Sequence, residues 1–322
     1  MNRAIRPPDK ASAALVDRHD DRGEADHAAA RRRLWLGVAC GLLTSLIWGV
    51  QAVVSRQSVA DGLSAADVTI LRFAVASLLL LPLALRRMRP FPVGRLGWRR
   101  SLILTALAGA PYALVLVGGA TFAPALHASV IVPGLIPVMT VALAFAVMGE
   151  RPGKRRMAGL ALVLVGIGAF GWQAFGSSRP QESAWIGDLF FVANAVMWSV
   201  FGLLARRWGA DAIDVTIATC LLSLLVLPVF ALTMPIRLGE AAWPAIALQA
   251  VYQGALVGVG ALFLYTKSVE LLGAARATLF LPLNPVVTAL AGVAVLGEYP
   301  SGIEVAGMLL VIAGMSVALR AR

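Results

Sequence analysis

The sequence predicts an all-α integral membrane protein, ten transmembrane helices built as two inverted five-helix repeats. Three observations predict it. Hydrophobic residues make up 59% of the 322 and charged residues 14%, and the mean hydropathy of +0.80 is too high for a soluble domain of this length. Ten apolar stretches approach or exceed the ~20 helical residues that cross a hydrocarbon core of ~30 Å, and they are continuous rather than alternating, which favours helices over barrel strands. Residues 137–166 also recur 148 positions later, with thirteen of thirty positions identical. A period this long marks one duplicated unit rather than a solenoid. With five spans per unit, the two units must sit upside down to each other, as in many secondary transporters.

Taken in order, residues 1–34 are polar and charged, read as a disordered cytoplasmic tail without a signal-peptide core. The first repeat covers 35–175, with spans near 35–55, 67–85, 101–121, 125–148 and 156–175. The second covers 185–320, with spans near 185–205, 212–233, 244–266, 274–296 and 302–319. Trp48 to Arg56 echoes Trp198 to Arg206, and Asp67-Val-Thr-Ile echoes Asp214-Val-Thr-Ile. Ser64 with Asp67, Asp211 with Asp214, and Ser301 with Glu304 are spaced as helix N-caps and dipole partners of the second, seventh and tenth spans. Gly159 and Gly166 in the fifth span match Gly307 and Gly314 in the tenth; each pair makes a small-residue face for close packing, against another span or another subunit.

Lys and Arg set the orientation. With the N-terminus inside, inner segments hold 24 of the 28, and the outer loops hold only Arg56, Arg179 and Arg237. This bias predicts cytoplasmic termini in a bacterial inner (plasma) membrane. The net charge of +11 then follows from topology and anionic lipid, not from nucleic acid.

The fourth span carries Pro133 and Pro137, the ninth Pro282 and Pro285. Each proline lacks an N–H and crowds the carbonyl four residues earlier, so both spans are expected to break, leaving the carbonyls of Ser129, Pro133, Thr278 and Leu281 for protein or a wet cavity. Kinks that merely fit the bundle's curvature are the alternative. Tyr112, Asn194, Gln253 and Asn284 lie near span midpoints, with Gln51 farther along the first span and Trp48 and Trp198 at equivalent places. Amides offer donors and acceptors together, which suits zwitterions, and aromatic faces hold apolar groups or cations. Interhelical hydrogen bonding is the competing role for each amide. Arg72 is the one basic residue well inside an apolar run, placed to meet an anionic group, hold a carbonyl end or snorkel outward. No carboxylate is read deep in any span. Glu150 and Glu298 end the fourth and ninth spans as symmetric gate residues or as loop holders. His127, aligned with Arg276, reads as an interface anchor rather than a proton carrier, although a histidine titrates in the useful range. Cys40 and Cys220 carry no disulfide or metal pattern.

The recurrent spacing Pro137, Glu150, Pro152 and Pro285, Glu298, Pro300 resembles the hallmark of EamA-type permeases of the drug/metabolite transporter superfamily. Trp48-Gly49, Arg72-Phe73 and the Gly-rich fifth and tenth spans resemble it too, and the likeness runs over roughly residues 35–320. It implies an inverted repeat of five helices, a central substrate cavity and alternating access, commonly for export of amino acids or other metabolites. The counterpart of Arg72 in the second half is Thr219, so any role of Arg72 is asymmetric.

These readings converge on a secondary transporter of a small polar metabolite. The expected substrate cavity is formed by Trp48, Gln51, Arg72, Tyr112, Asn194, Trp198, Gln253 and Asn284. Pro133, Pro137, Pro282, Pro285, Glu150 and Glu298 are the expected helix-break and gating residues. No catalytic residue, cofactor or metal is expected, since the chain lacks an H-E-x-x-H motif, paired intramembrane Asp and a Ser–His set. The partners expected are the metabolite and the lipid bilayer, without nucleic acid, and a homodimer stays open. A membrane sensor or scaffold, or an intramembrane lipid-handling protein, is the alternative; it would show a partner-binding tail and flux indifferent to the cavity.

Overall fold

The fold is that of a computed structural model that describes residues 10–148, 152–176 and 183–320. Among the described residues there are ten helices long and apolar enough to cross a membrane, and no strand. We number them α1 (Lys10–Ala60, apolar over Ala30–Ala60), α2 (Ala65–Arg87), α3 (Gly94–Gly119), α4 (Ala125–Met148), α5 (Lys154–Gly176), α6 (Ala184–Arg207), α7 (Ala212–Thr233), α8 (Trp243–Leu272), α9 (Thr278–Leu296) and α10 (Gly302–Arg320). Short connections make successive helices antiparallel. One end of the bundle carries the α3–α4 and α9–α10 turns, here the Glu298 end; the other is the Arg87 end.

The helix starts are made as their sequences dictate. Ser64 Oγ accepts the Asp67 N–H at 3.1 Å while Asp67 accepts the Ser64 N–H at 2.8 Å, a reciprocal capping box. Asp67 also accepts the Arg237 N–H from the α7–α8 loop at 3.1 Å. Ser301 and Glu304 form the same box on α10. Asp211 caps α7, and at that end Arg87 pairs with both Asp211 and Asp214.

Packing follows a pseudo-two-fold axis. α5 lies on α10 and α2 on α7; α4 against α6 is matched by α9 against α1; α3 against α6 by α8 against α1; and α2 against α8 by α7 against α3. The glycine faces meet each other within one chain. A Cβ on Gly159 would stand 2.7 Å from the Gly314 carbonyl oxygen, and one on Gly166 would stand 2.6 Å from that of Gly307. Only glycine permits these backbones to approach so closely.

Two expectations are corrected. α1 begins at Lys10, inside the segment read as a disordered tail; its Ala- and Arg-rich sequence has high helix propensity and continues into the span without a break. α4 is not broken: it runs as one helix through Pro133 and Pro137, as membrane helices do when neighbouring groups re-satisfy the freed backbone. Winding changes instead in α9, which is 3₁₀ over Thr278–Leu283, α over Asn284–Ala291 and π over Gly292–Leu296. The 3₁₀ turn lets the Asn284 N–H reach the Leu281 carbonyl that Pro285 would otherwise leave unpaired. α3 is interrupted at Gly109, and its mate α8 winds as a π-helix over Ala250–Gly260.

The two ends differ. At the Glu298 end Ala52 of α1, half-buried, packs against a cluster that α4 forms with α6, Ala128, Ile131 and Leu135 with Phe191 and Ala195. Its repeat equivalent on α6 is Gly202, where an added Cβ would meet nothing within 4 Å.

Candidate functional site

Where α1 meets α8 and α3 meets α6, the repeat symmetry brings two aromatic pairs together. The Trp48 ring stands 5.5 Å from Tyr265, and the Trp198 ring 5.4 Å from Tyr112. Phe201 extends the second pair at 5.3 Å from Trp198. Tyr265 escapes a reading of the sequence because it does not align with Tyr112; only the mirrored helix pairing makes them equivalent. Tyr112 is buried, whereas Trp48, Trp198 and Tyr265 are half-buried, presenting ring faces beyond the packed core.

The amides lie between helices. Asn194 donates to the Tyr112 carbonyl at 2.9 Å, tying α6 to α3. Gln253 donates to Ser55 Oγ at 2.9 Å and Gln249 to the Val54 carbonyl at 3.0 Å, tying α8 to α1. Their amide nitrogens therefore brace helices. Their oxygens do not: the Oδ1 atoms of Asn194 and Asn284 and the Oε1 atoms of Gln249 and Gln253 are buried without a hydrogen-bond partner. Nor are Nε and Nη1 of Arg72, whose guanidinium lies 5.7 Å from the Phe73 ring centre. The ionisable neighbours of Arg72 are the Tyr112 phenol and the Cys220 thiol, and no carboxylate of the described residues pairs with it. A buried polar atom left unpaired costs roughly 1–3 kcal/mol. Four acceptors and two donors of these side chains are thus unpaired inside the bundle. Arg72, Tyr112, Asn194 and Trp198 form one connected group; Trp48 and Gln253 stand on the α1–α8 pair, Asn284 on α9, and Gln51 is half-buried beyond Trp48.

At the Glu298 end the contacts are ionic. Glu298 Oε1 pairs with Arg56 Nε at 3.1 Å, and its Oε2 accepts the Ala125 N–H at 3.0 Å, holding the start of α4. Arg56 also donates to the Ala120 carbonyl at 2.7 Å. Glu298 thus links α1, α4 and the α9–α10 turn. Its repeat equivalent Glu150 lies outside the described residues.

A second cluster lies around His127, near the ends of the spans as the sequence placed it but buried from the side. His127 Nδ1 lies 2.7 Å from Asp188 Oδ1 and its Nε2 3.1 Å from Glu304 Oε1. The His127 side chain is 3% exposed, those of Asp188 and Glu304 only 13% and 11%. All three stand within five residues of the starts of α4, α6 and α10, which looks shallow in sequence; lateral burial against neighbouring helices is what removes them from the surface. Among the described residues no group of three His, Cys, Asp or Glu side chains could hold a metal ion, and Cys40 and Cys220 are separate buried thiols.

Comparison with known proteins agrees with this architecture. The model of the EamA-like transporter family matches residues 35–171 and again 185–320. The uncharacterized transporter YyaM of Bacillus subtilis is 28% identical over 196 residues, 58% of this chain and 62% of that protein, so the match spans less than two thirds of its length. A protein of Streptantibioticus cattleyicolor named as a probable terminal-alkyne amino-acid exporter is 29% identical over 289 residues, 85% of this chain and 90% of that one. A solved crystal structure superposes with a TM-score of 0.57 at 23% identity, covering 89% of this chain and 97% of that one, a likeness of fold alone. The chain belongs to the EamA-like transporter family.

Proposed function

We propose that this member of the EamA-like transporter family exports a small zwitterionic metabolite, an amino acid or a similar amphipathic compound, by alternating access. The observation that carries the reading is the unpaired polar set inside the bundle. A carboxylate would satisfy the two buried guanidinium nitrogens of Arg72, and an ammonium group, with three N–H donors, would satisfy up to three of the amide oxygens of Asn194, Gln249, Gln253 and Asn284. The Trp48–Tyr265 and Trp198–Tyr112 pairs would hold the apolar part of the substrate. The charge bias supports an orientation with the Glu298 end outside. Packing of the half-buried Ala52 at that end, against the open space at Gly202, supports a state closed outside and looser toward the cytoplasm, suited to loading from within. The Streptantibioticus relative, named as a probable terminal-alkyne amino-acid exporter, supports the substrate class. Loss of the Arg56–Glu298 link would open the outer side and complete the cycle.

Efflux from proteoliposomes preloaded with a mixed amino-acid pool tests the proposal. Wild-type protein is expected to release at least one member of the pool, and a folded Asn284→Ala/Trp198→Ala variant to lose that flux. Equal flux in both would move the site elsewhere; no wild-type flux for any pool member would remove amino acids as the substrate.

A further inference from the structure

We propose that His127, Asp188 and Glu304 form a proton-binding site whose loaded form clamps α4, α6 and α10 together at the Glu298 end. Both ring nitrogens of His127 lie within hydrogen-bond distance of a carboxylate oxygen, at 2.7 Å and 3.1 Å. Each contact needs one hydrogen, because a nitrogen lone pair facing a carboxylate oxygen repels it. Neutral imidazole brings one. The geometry therefore holds one proton more than a neutral histidine between two ionised carboxylates, whether on the ring or on a carboxyl group. Asp188 Oδ2 is buried and has no hydrogen-bond partner among the described residues. Glu304 Oε2 is already occupied by the Ser301 N–H at 2.6 Å.

The surroundings isolate the cluster. Phe170 of α5 lies edge-on to the imidazole at 5.0 Å. Leu126, Val130, Val163, Met308 and Val311 complete an apolar wall. Asp188 faces His127 from α6 and Glu304 from α10; α5 contributes no charged group at this level, its Lys154, Arg155 and Arg156 standing at the far end. Arg56 and Glu298, the nearest other charges of α1 and the α9–α10 turn, are paired with each other. Release of the extra proton leaves one N···O contact without a hydrogen; the longer one, Nε2 to Glu304 at 3.1 Å, yields, and α4 then parts from α10.

The sign follows from linkage. The clamped state binds one more proton than a state with either contact broken, so acid favours clamping and alkali favours separation. That this end is the outer one rests on the orientation in the export reading; on that reading, a proton from outside would reset the emptied transporter. The clamp itself does not depend on the substrate.

The test is the distance between spin labels on cysteines placed at Thr121 and Tyr299, both exposed in the turns of the Glu298 end. Cys40 and Cys220 are replaced by Ala, and the full chain is held in lipid nanodiscs without substrate. For wild type the ratio of short to long distances is expected to rise on acidification, by at most about tenfold per pH unit for one proton. In Asp188→Asn the amide can donate to Nδ1 while Nε2–H serves Glu304. Both contacts are then satisfied by neutral histidine, and the short distance should persist at every pH. His127→Ala should favour the long distance at every pH. A wild-type distribution indifferent to pH, or an Asp188→Asn variant that keeps the wild-type response, would overturn the proposal. Asp188→Asn preserves size and shape, so the comparison stands if His127→Ala does not fold. Failure here would leave efflux untouched, and absence of efflux would leave the distances readable.

Discussion

A guanidinium in a membrane helix draws its meaning from what surrounds it. Arg72 has two buried nitrogens without partners and no carboxylate beside it, a costly arrangement unless a ligand completes it. Arg72→Ala is expected to raise the KM for a carboxylate-bearing substrate by about 10- to 100-fold, from the loss of a charge-assisted hydrogen bond of roughly 1.5–3 kcal/mol. Arg72→Lys should recover part of it. Equal KM values in wild type and Arg72→Ala, measured by initial efflux rates, would assign Arg72 a packing role. The amides show why a residue can be read correctly and incompletely. Asn194 and Gln253 are polar at mid-span in sequence, yet only the neighbouring helices reveal that their nitrogens brace the bundle while their oxygens stay unpaired.

Among the helices, α5 and α10 show how composition becomes a joint. Gly159 and Gly168 stand on the same helix and differ only in surroundings. A Cβ on Gly159 meets Ala318 N at 2.6 Å and the Gly314 oxygen at 2.7 Å, whereas one on Gly168 meets nothing within 4 Å. Gly159→Ala should therefore destabilise the protein by about 1–3 kcal/mol through overpacking. Gly168→Ala should leave stability unchanged or raise it, by up to ~1 kcal/mol of helix propensity. Thermal unfolding in detergent checks both, and equal midpoints would contradict the tight joint. The prolines teach the converse. Pro133 and Pro137 sit in an unbroken α4, whereas Pro282 and Pro285 accompany a real change of winding in α9. Proline removes a donor in both places, but the surrounding packing decides whether the helix yields.

For the whole molecule, the asymmetry between the two ends is the property that function needs. In a background with Cys40 and Cys220 replaced by Ala, Ala52→Cys should resist a membrane-impermeant thiol reagent. Gly202→Cys should react when the reagent has access to the cytoplasmic side. Reaction of Gly202→Cys only from the outer side would reverse the proposed orientation; reaction at Ala52→Cys would contradict the closed end.

The fold class, the ten spans, the duplication and the glycine joint were legible in the chain, because apolar length, helical period and repeated identities are local properties that survive being read one residue at a time. The helix caps were legible for the same reason, each closing within three residues. Pairing across 60 residues or more was not. The Trp48–Tyr265 partner of Trp198–Tyr112, the Arg56–Glu298 link and the burial of His127 between Asp188 and Glu304 all depend on which helices the pseudo-two-fold packing sets side by side. A carboxylate five residues from a helix start looks exposed in sequence. It becomes a buried charge only when three other helices close around it, and that is a decision of tertiary structure.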